Sequence, residues 1–129
     1  MACKLLLIRH GETVDNVNRI MQGQTPGKLT ENGINQARNL GAELSQKHID
    51  AFVSSDLQRA VDTCVEVAAP HFQGDRHTAL ANIFQTPLLR ERDWGSFTGR
   101  YIPDLKDAKW TPDIETTDAM RQRANAFLQ

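Results

Sequence analysis

The residues best suited to chemistry lie at two places in the first half of the chain. Arg9, His10 and Gly11 follow one short apolar run, and Ser54 and Ser55 follow another. A neutral imidazole is a nucleophile near pH 7, and a guanidinium offers a fork of N–H donors to an anion. A glycine beside them permits close backbone approach. These residue types predict a site that handles a phosphate group.

Arg59 is a further candidate because it lies in the first turn of the helix predicted after Ser55. Its fork would approach free N-terminal amides, which already favour an anion. Each residue also has a plainer interpretation when it is taken alone. Arg59, with Asp56 and Asp62 three residues away on either side, is typical of a surface ion pair. His10 alone is typical of a hydrogen-bonded core or surface histidine.

Other phosphate and metal motifs are excluded by their spacing. The segment Gly23–Leu29 has three residues between its glycines, and neither Ser nor Thr follows Lys28, so it is not a P-loop. The other histidines, His48, His71 and His77, have no carboxylate or thiol at ligand spacing. We therefore expect neither a metal nor a cofactor.

Two strands must position the candidate residues. The run 3–8 is typical of a strand buried on both faces, and residues 49–53 predict a second buried strand. The order strand, helix, strand, helix predicts a parallel sheet, and ligands bind beyond the carboxyl ends of its strands. His10 and Ser54 should then meet at one edge of the sheet.

The predicted helices follow those strands. Thr30 can cap a helix that continues to about Lys47, and Ser55 with Gln58 has the spacing of a capping box. Apolar residues from Leu57 onward recur at helical spacing and stop before Pro70. The connection 11–29 has no sustained periodicity, and connections of that length usually carry function.

The second half of the chain is less regular. A short strand is predicted at 78–83, a loop at 93–103, and a helix from about Thr117 with an apolar face around Met120 and Phe127. The sequence stops inside that helix without a capping residue, so we expect a fragment of a longer enzyme.

Length and composition describe an ordinary globular chain. Its 129 residues allow one domain, and 40% of them are hydrophobic. Fifteen basic and sixteen acidic residues give a net charge of −1, which predicts neither nucleic-acid nor membrane binding. Cys3 and Cys64 are predicted to be reduced core residues. The N-terminal apolar run is too short for a signal peptide, so we expect a cytoplasmic protein.

Five blocks of sequence resemble, in the correct order, the motifs of the histidine phosphatase superfamily, in its phosphoglycerate mutase-like branch. The blocks are Leu6-Leu-Ile-Arg-His-Gly-Glu-Thr13 with Asn16, Gln22-Gly23, Leu29-Thr-Glu-Asn-Gly33 with Gln36-Ala37, Ser54-Ser-Asp-Leu-Gln-Arg59-Ala60 with Thr63, and Glu91-Arg-Asp-Trp-Gly95 with Gly99. The resemblance covers Leu5 to about Gly99.

The resemblance implies a three-layer α/β/α sandwich with a mostly parallel sheet and a role for each matching residue. His10 would be the nucleophile, Arg9 and Arg59 would clamp the transferred phosphoryl group, and Glu91 would serve as acid and then base. Further matching positions would line the substrate pocket: Gly11, Thr13, Asn16, Gln22 and Gly23. Phosphoryl transfer needs in-line positioning and cations around the equatorial oxygens, which an arginine pair supplies without metal.

One departure from the family qualifies this assignment. Family members carry a second catalytic histidine on a later strand, and no residue after Gly99 is a histidine. His71 and His77 precede the Glu91 block and are therefore in the wrong order. We expect residues 1–129 to form a single domain that lacks the C-terminal third of the family.

Three functions stay open at this point. The first is a phosphatase acting on a small phosphomonoester through a phosphohistidine, and the compact spacing after Glu91 favours it. The second is a phosphoglycerate mutase that uses the same intermediate, and the third is a non-catalytic module that binds phosphate. We expect a small phosphorylated metabolite as the partner, and a homodimer is left open.

Overall fold

A computed structural model describes residues 2–129, and in it helices alternate with the strands of a small sheet. The two strands, β1 (Phe52–Ser55) and β2 (Ile83–Thr86), are parallel, with Phe52 opposite Ile83 and Ser55 opposite Thr86. The α-helices are α1 (Val14–Asn18), α2 (Glu31–Leu44), α3 (Gln58–Ala68), α4 (Arg76–Ala81) and α5 (Thr117–Phe127). The predicted α/β class with a parallel sheet is confirmed.

The N-terminal run does not form the predicted buried strand. Among residues 2–129, none pairs with residues 3–8 as a strand neighbour, and the Leu7 side chain is 91% exposed. Cys3 is exposed as well, so the prediction of a core cysteine was wrong there. An apolar run becomes a strand only where a neighbouring strand accepts its backbone hydrogen bonds. The prediction of a buried strand at 3–8 was therefore wrong for this structure.

The segment between residue 11 and α2 is more ordered than its composition indicates. Thr13 and Asn16 form a reciprocal capping box that starts α1. The prediction of an unstructured connection missed this helix because it spans only five residues, too few for a periodic pattern. The helix capped by Thr30 is confirmed, although α2 ends at Leu44 instead of about Lys47.

The strand and helix around Ser55 are displaced from their predicted bounds. β1 begins at Phe52 and includes Ser54 and Ser55, which are buried although they are polar. The Ser54 hydroxyl donates to the Ser55 carbonyl at 2.8 Å, so its burial leaves no donor unpaired. The predicted capping box with Gln58 does not form. Ser55 Oγ instead accepts a hydrogen bond from the Leu57 amide, and α3 starts one residue later.

The predicted strand at 78–83 is wrong in position. Asp75 caps α4 by accepting a hydrogen bond from the Thr78 amide, so Thr78 is helical, and the strand follows at Ile83–Thr86. The predicted loop at 93–103 contains two short 3₁₀ turns, Gly95–Phe97 and Ile102–Leu105. The helix predicted from Thr117 is confirmed.

Apolar packing forms two regions. Buried residues of α2, α3, α4 and β2 make the first, among them Ala37, Val61, Val67, Ala79 and Ile83. The second lies under the 3₁₀ turns, where Phe97, Leu105 and Ile114 pack with Met21, Trp94 and Ala108. No helix within residues 2–129 is long and apolar enough to cross a membrane.

Candidate active site

The half-buried ring of His10 is oriented by its own backbone. Its Nδ1 atom lies 2.8 Å from the Gly11 carbonyl oxygen. A carbonyl only accepts hydrogen bonds, so Nδ1 carries the proton and Nε2 keeps a free lone pair. Burial lowers the pKa of His10 below its usual value, and the charges of Arg59 and Arg9 act in the same direction. Both effects favour the neutral, nucleophilic form of the imidazole.

A threonine connects the segment that carries His10 to helix α3. Thr63 Oγ1 accepts a hydrogen bond from the Gly11 amide at 3.0 Å and donates to the Arg59 carbonyl at 2.8 Å. A Cβ atom on Gly11 would lie 2.5 Å from the Gly33 carbonyl oxygen, so helix α2 approaches from the other side. Any larger residue at position 11 would push the two segments apart.

Arg59 is 2% exposed and is held by the loop before α2. Its Nη1 donates to the Thr25 carbonyl and its Nη2 to the Gly23 carbonyl, both at 2.7 Å. Gly23 adopts a φ of +54°, which glycine tolerates without strain, and this turns its carbonyl toward the guanidinium. A guanidinium has five N–H donors, and these two hydrogen bonds use two of them.

The prediction that free N-terminal amides lie beside Arg59 was wrong for two of these amides. The Arg59 amide donates to the Pro26 carbonyl at 2.8 Å, and the Leu57 amide is taken by Ser55. The first turn of α3 therefore contributes the Arg59 side chain to the site, and those two amides are occupied by the protein itself. Burial lowers the pKa of Arg59, while the carboxylates of Glu91 and Asp15 act in the opposite direction.

Four of the five predicted pocket residues are buried, and the fifth, Asn16, is exposed. Thr13 is fully buried and donates from Oγ1 to Gln22 Oε1 at 2.8 Å, which orients the amide of Gln22. Asn16 is exposed, and its side chain accepts a hydrogen bond from the Thr13 amide. Asn16 thus has a structural role in capping α1 in addition to any contact with a ligand.

Arg9 and Glu91, like Asn16, are exposed. The Glu91 carboxylate accepts a hydrogen bond from the Arg92 amide at 2.7 Å, and the backbone carbonyl of Glu91 accepts one from Gln24 Nε2 at 3.1 Å. The charge of the carboxylate opposes, without reversing, the lowering of the pKa of His10 and that of Arg59. His10, Arg59 and Glu91 therefore belong to one electrostatic neighbourhood.

One cavity borders the segment that carries Glu91. A cavity of about 340 Å³ is lined by Gln24, Arg90 and Asp93 among others, but not by His10. Residues 2–129 contain no group of three or more His, Cys, Asp or Glu side chains placed to hold a metal ion. Burial raises the pKa of Cys64 to about 11, so its thiol stays protonated and is a poor nucleophile.

Comparison with known proteins identifies the family. The chain belongs to the histidine phosphatase superfamily (branch 1), whose profile matches residues 5–129. It is 31% identical to fructose-2,6-bisphosphatase TIGAR B of Danio rerio, covering 97% of this chain and 51% of that protein. It is 36% identical to the adenosylcobalamin/alpha-ribazole phosphatase of Escherichia coli, covering 97% of this chain and 64% of that protein.

Solved structures of the same family superimpose on the chain. A mycobacterial glucosyl-3-phosphoglycerate phosphatase in complex with VO3 matches with a TM-score of 0.75 and 28% identity, over 92% of this chain and 62% of the other. A phosphoglycerate mutase from Thermus thermophilus matches with a TM-score of 0.70 and 27% identity, over 93% and 67%. The chain thus spans about half to two thirds of the length of these relatives.

Sequence patterns did not assign a role to every residue that builds the site. Thr63 appeared only as part of a motif, and the carbonyls that hold Arg59 carry no side-chain signature. The signal for Thr63 was its position four residues after Arg59, one helical turn away on the same face.

Proposed function

We propose that this protein is a phosphatase that transfers the phosphoryl group of a small phosphomonoester to His10 and then to water. The observation that carries the proposal is the His10 ring, whose Nδ1–H donates to the Gly11 carbonyl. That bond leaves Nε2 free to attack phosphorus. The charge of the buried Arg59 guanidinium acts on His10, which supports a role for Arg59 in neutralising the equatorial oxygens.

The proposed reaction has two steps. His10 Nε2 attacks phosphorus, the bond from phosphorus to the ester oxygen breaks, and the Glu91 carboxyl group gives its proton to that oxygen. Glu91, now a carboxylate, takes a proton from water as the water oxygen attacks the phosphohistidine. The bond from phosphorus to Nε2 breaks, and inorganic phosphate leaves with His10 in its starting form. Arg9 and Arg59 hold the phosphoryl oxygens throughout.

The substrate class follows from the relatives. The phosphatases among them are described as acting on fructose 2,6-bisphosphate, alpha-ribazole phosphate and glucosyl-3-phosphoglycerate. A small phosphorylated metabolite is therefore the partner that this proposal assigns. The chain acts in it as one histidine phosphatase-like domain, with Asn16, Gln22 and Gly23 beside the substrate. A cytoplasmic setting belongs to the proposal, and the two free cysteines fit a reducing compartment.

A phosphoglycerate mutase is the second candidate, and the match to the Thermus thermophilus mutase favours it. The two functions share the phosphohistidine and differ in its acceptor, which is water for a phosphatase and a phosphoglycerate hydroxyl for a mutase. Adding unlabelled 3-phosphoglycerate to isolated phosphoenzyme separates them. Label that appears in inorganic phosphate supports the phosphatase, and label that appears in a bisphosphoglycerate supports the mutase.

The experiment that tests the proposal is a rapid quench of the protein with ³²P-labelled phosphomonoester. The wild type should retain label that is lost in acid and kept in base, as a phosphoramidate requires. The His10→Ala variant should retain none. Arg59→Ala should retain label but form it about a hundredfold to a thousandfold more slowly, because one of several charge-stabilising donors is lost.

A second experiment titrates the protein with vanadate and follows the NMR signals of the His10 ring, which tests phosphate binding separately from catalysis. Vanadate that shifts the His10 signals without any labelled phosphoenzyme would identify a binding module and contradict the catalytic proposal. Vanadate that leaves the His10 signals unmoved, together with absence of label, would show that phosphate is not bound here.

A further inference from the structure

The Glu91 carboxylate lies on a segment without regular secondary structure, yet proton transfer demands a fixed position. No helix or strand includes residues 90–94, and Glu91 is exposed. A general acid must sit within hydrogen-bond reach of the atom it protonates. The segment therefore needs a support outside itself, and helix α5 supplies contacts that fit this need.

Arg123 of α5 donates to the backbone at Glu91 and on its N-terminal side. Its Nη1 lies 2.9 Å from the Arg90 carbonyl oxygen and 3.1 Å from that of Leu88, and its Nη2 lies 3.5 Å from that of Glu91. Three carbonyl groups around one guanidinium leave the segment 88–91 little freedom to rotate.

Glu115 holds the segment on the C-terminal side of Glu91. Its Oε1 accepts a hydrogen bond from the Asp93 amide at 3.0 Å, and its own amide donates to the Asp93 carbonyl at 2.8 Å. The same carboxylate receives both Nε and Nη2 of Arg123, at 2.6 and 2.7 Å. Arg123 and Glu115 thus form a bidentate pair that grips the chain on both sides of Glu91.

The burial of this pair separates it from an ordinary surface ion pair. The side chains of Arg123 and Glu115 are 20% and 13% exposed, so solvent screens them little. Arg121 and Asp118, on the same helix, pair at 2.9 Å but are 66% and 82% exposed. The Arg121 side chain donates to Asp118 and not to residues 88–93, which makes it a matched control for the loss of a cation from α5.

We propose that Arg123 and Glu115 are positioning residues that fix the Glu91 carboxylate for proton transfer to the leaving oxygen. The assignment rests on the proposed phosphatase function, in which Glu91 is the proton donor. In this proposal the pair acts through its hydrogen bonds to the backbone of residues 88–93.

The first test measures the segment itself and needs no activity. Amide hydrogen exchange is followed in wild type, Arg123→Met, Glu115→Gln and Arg121→Met. The Arg92 and Asp93 amides should exchange about tenfold faster or more in Arg123→Met, because the hydrogen bonds that fix the segment are gone. They should keep the wild-type rate in Arg121→Met. Unchanged exchange rates at both amides in a folded Arg123→Met protein would contradict the proposal that Arg123 and Glu115 hold this segment.

The second test uses leaving groups of different basicity. An alkyl phosphate needs a proton on its leaving oxygen, whereas p-nitrophenol leaves readily as an anion. We expect Arg123→Met to lower kcat/KM for the alkyl phosphate about tenfold to a hundredfold, and that for p-nitrophenyl phosphate less than about threefold. Equal losses on both substrates would indicate a general structural effect and contradict the positioning role.

A double variant connects Arg123 to Glu91 directly. If Arg123 acts through Glu91, adding Arg123→Met to Glu91→Gln should cause almost no further loss on the alkyl phosphate. Additive losses would overturn the assignment. Should Arg123→Met not fold, Arg123→Lys keeps the charge but replaces the fork with one ammonium group, and the same two readouts apply to it.

The experiments distinguish failure of the positioning role of Arg123 and Glu115 from failure of the proposed function. If no phosphoenzyme forms but amide exchange is faster in Arg123→Met, the catalytic step and the role of Glu91 are contradicted. The conclusion that Arg123 and Glu115 hold the segment would stand. If phosphoenzyme forms but amide exchange is unchanged in Arg123→Met, only the positioning role of Arg123 and Glu115 is contradicted.

Discussion

At the scale of single residues, the proposed mechanism depends on keeping the His10 imidazole neutral beside Arg9 and Arg59. Burial and the charges of Arg59 and Arg9 lower the pKa of His10, whereas the Gly11 carbonyl and the Glu91 carboxylate raise it. The lowering effects prevail. A nucleophile with a lowered pKa keeps its lone pair available at a lower pH, at the cost of some intrinsic basicity.

We predict that His10 titrates below 6.5, its usual value, in the folded protein. NMR of the His10 C2 proton against pH measures this directly. Glu91→Gln should lower the pKa of His10 further, because the carboxylate that favours the imidazolium is gone. A titration of His10 above 6.5 would contradict the burial argument.

The lowered pKa of His10 also determines how the stability of the protein changes with pH. Because the unfolded chain binds a proton on His10 more readily than the folded one, the free energy of unfolding falls as the pH drops below about 6.5. The decline is complete below the folded pKa. Denaturation of His10→Ala should lack this part of the pH dependence.

The residues of the site were predictable to the extent that their chemistry lies in side chains. Motif order predicts that His10, Arg59 and Glu91 act together, and the charges of Arg59 and Glu91 both influence the pKa of His10. It could not show that the Gly23 and Thr25 carbonyls hold Arg59, since every residue has a carbonyl. Their orientation depends on the fold of the loop.

At the scale of elements, helix α3 and the N-terminal segment are joined through one hydroxyl. We predict that Thr63→Val destabilises the protein by about 1–3 kcal/mol, because the buried Gly11 amide loses its acceptor. Urea denaturation measures the loss as a lower midpoint with an unchanged slope. The rate of phosphoenzyme formation should fall too, since Gly11 orients the His10 ring.

Thr63→Ser is the matched control because it keeps the hydroxyl and removes only a methyl group. It should recover most of the stability and most of the rate of phosphoenzyme formation. If valine and serine at position 63 behaved alike, the hydrogen bond to Gly11 would have no measurable role.

The elements that were predicted correctly are those with long periodic faces. α2 and α3 carry such faces over 14 and 11 residues, and both are present. The errors concern short elements, whose existence is decided by tertiary partners. The four-residue strand β2 forms at Ile83 because β1 pairs with it there, and the capped helix α4 occupies the positions just before it.

At the scale of the whole molecule, the chain covers about half of some relatives and leaves apolar surface uncovered. Leu5, Leu7 and Phe84 are 58%, 91% and 64% exposed. Among residues 2–129, the two strands β1 and β2 form the entire sheet, so both present an unpaired edge. Exposed apolar side chains beside unpaired strand edges favour association between copies.

We therefore predict that the 129-residue chain associates as its concentration rises, and that the N-terminal run contributes to this. Leu7→Lys should shift the association to higher concentration, because a charged side chain at a 91% exposed position opposes apolar contact and costs the fold little. Sedimentation velocity over a roughly hundredfold range of concentration, about 1 to 100 μM, measures the change. Leu128→Lys, which alters a leucine that is 66% exposed at the end of α5, is the control for added charge alone. Equal effects of the two substitutions would mean that net charge governs association and that the N-terminal run is not the contact surface.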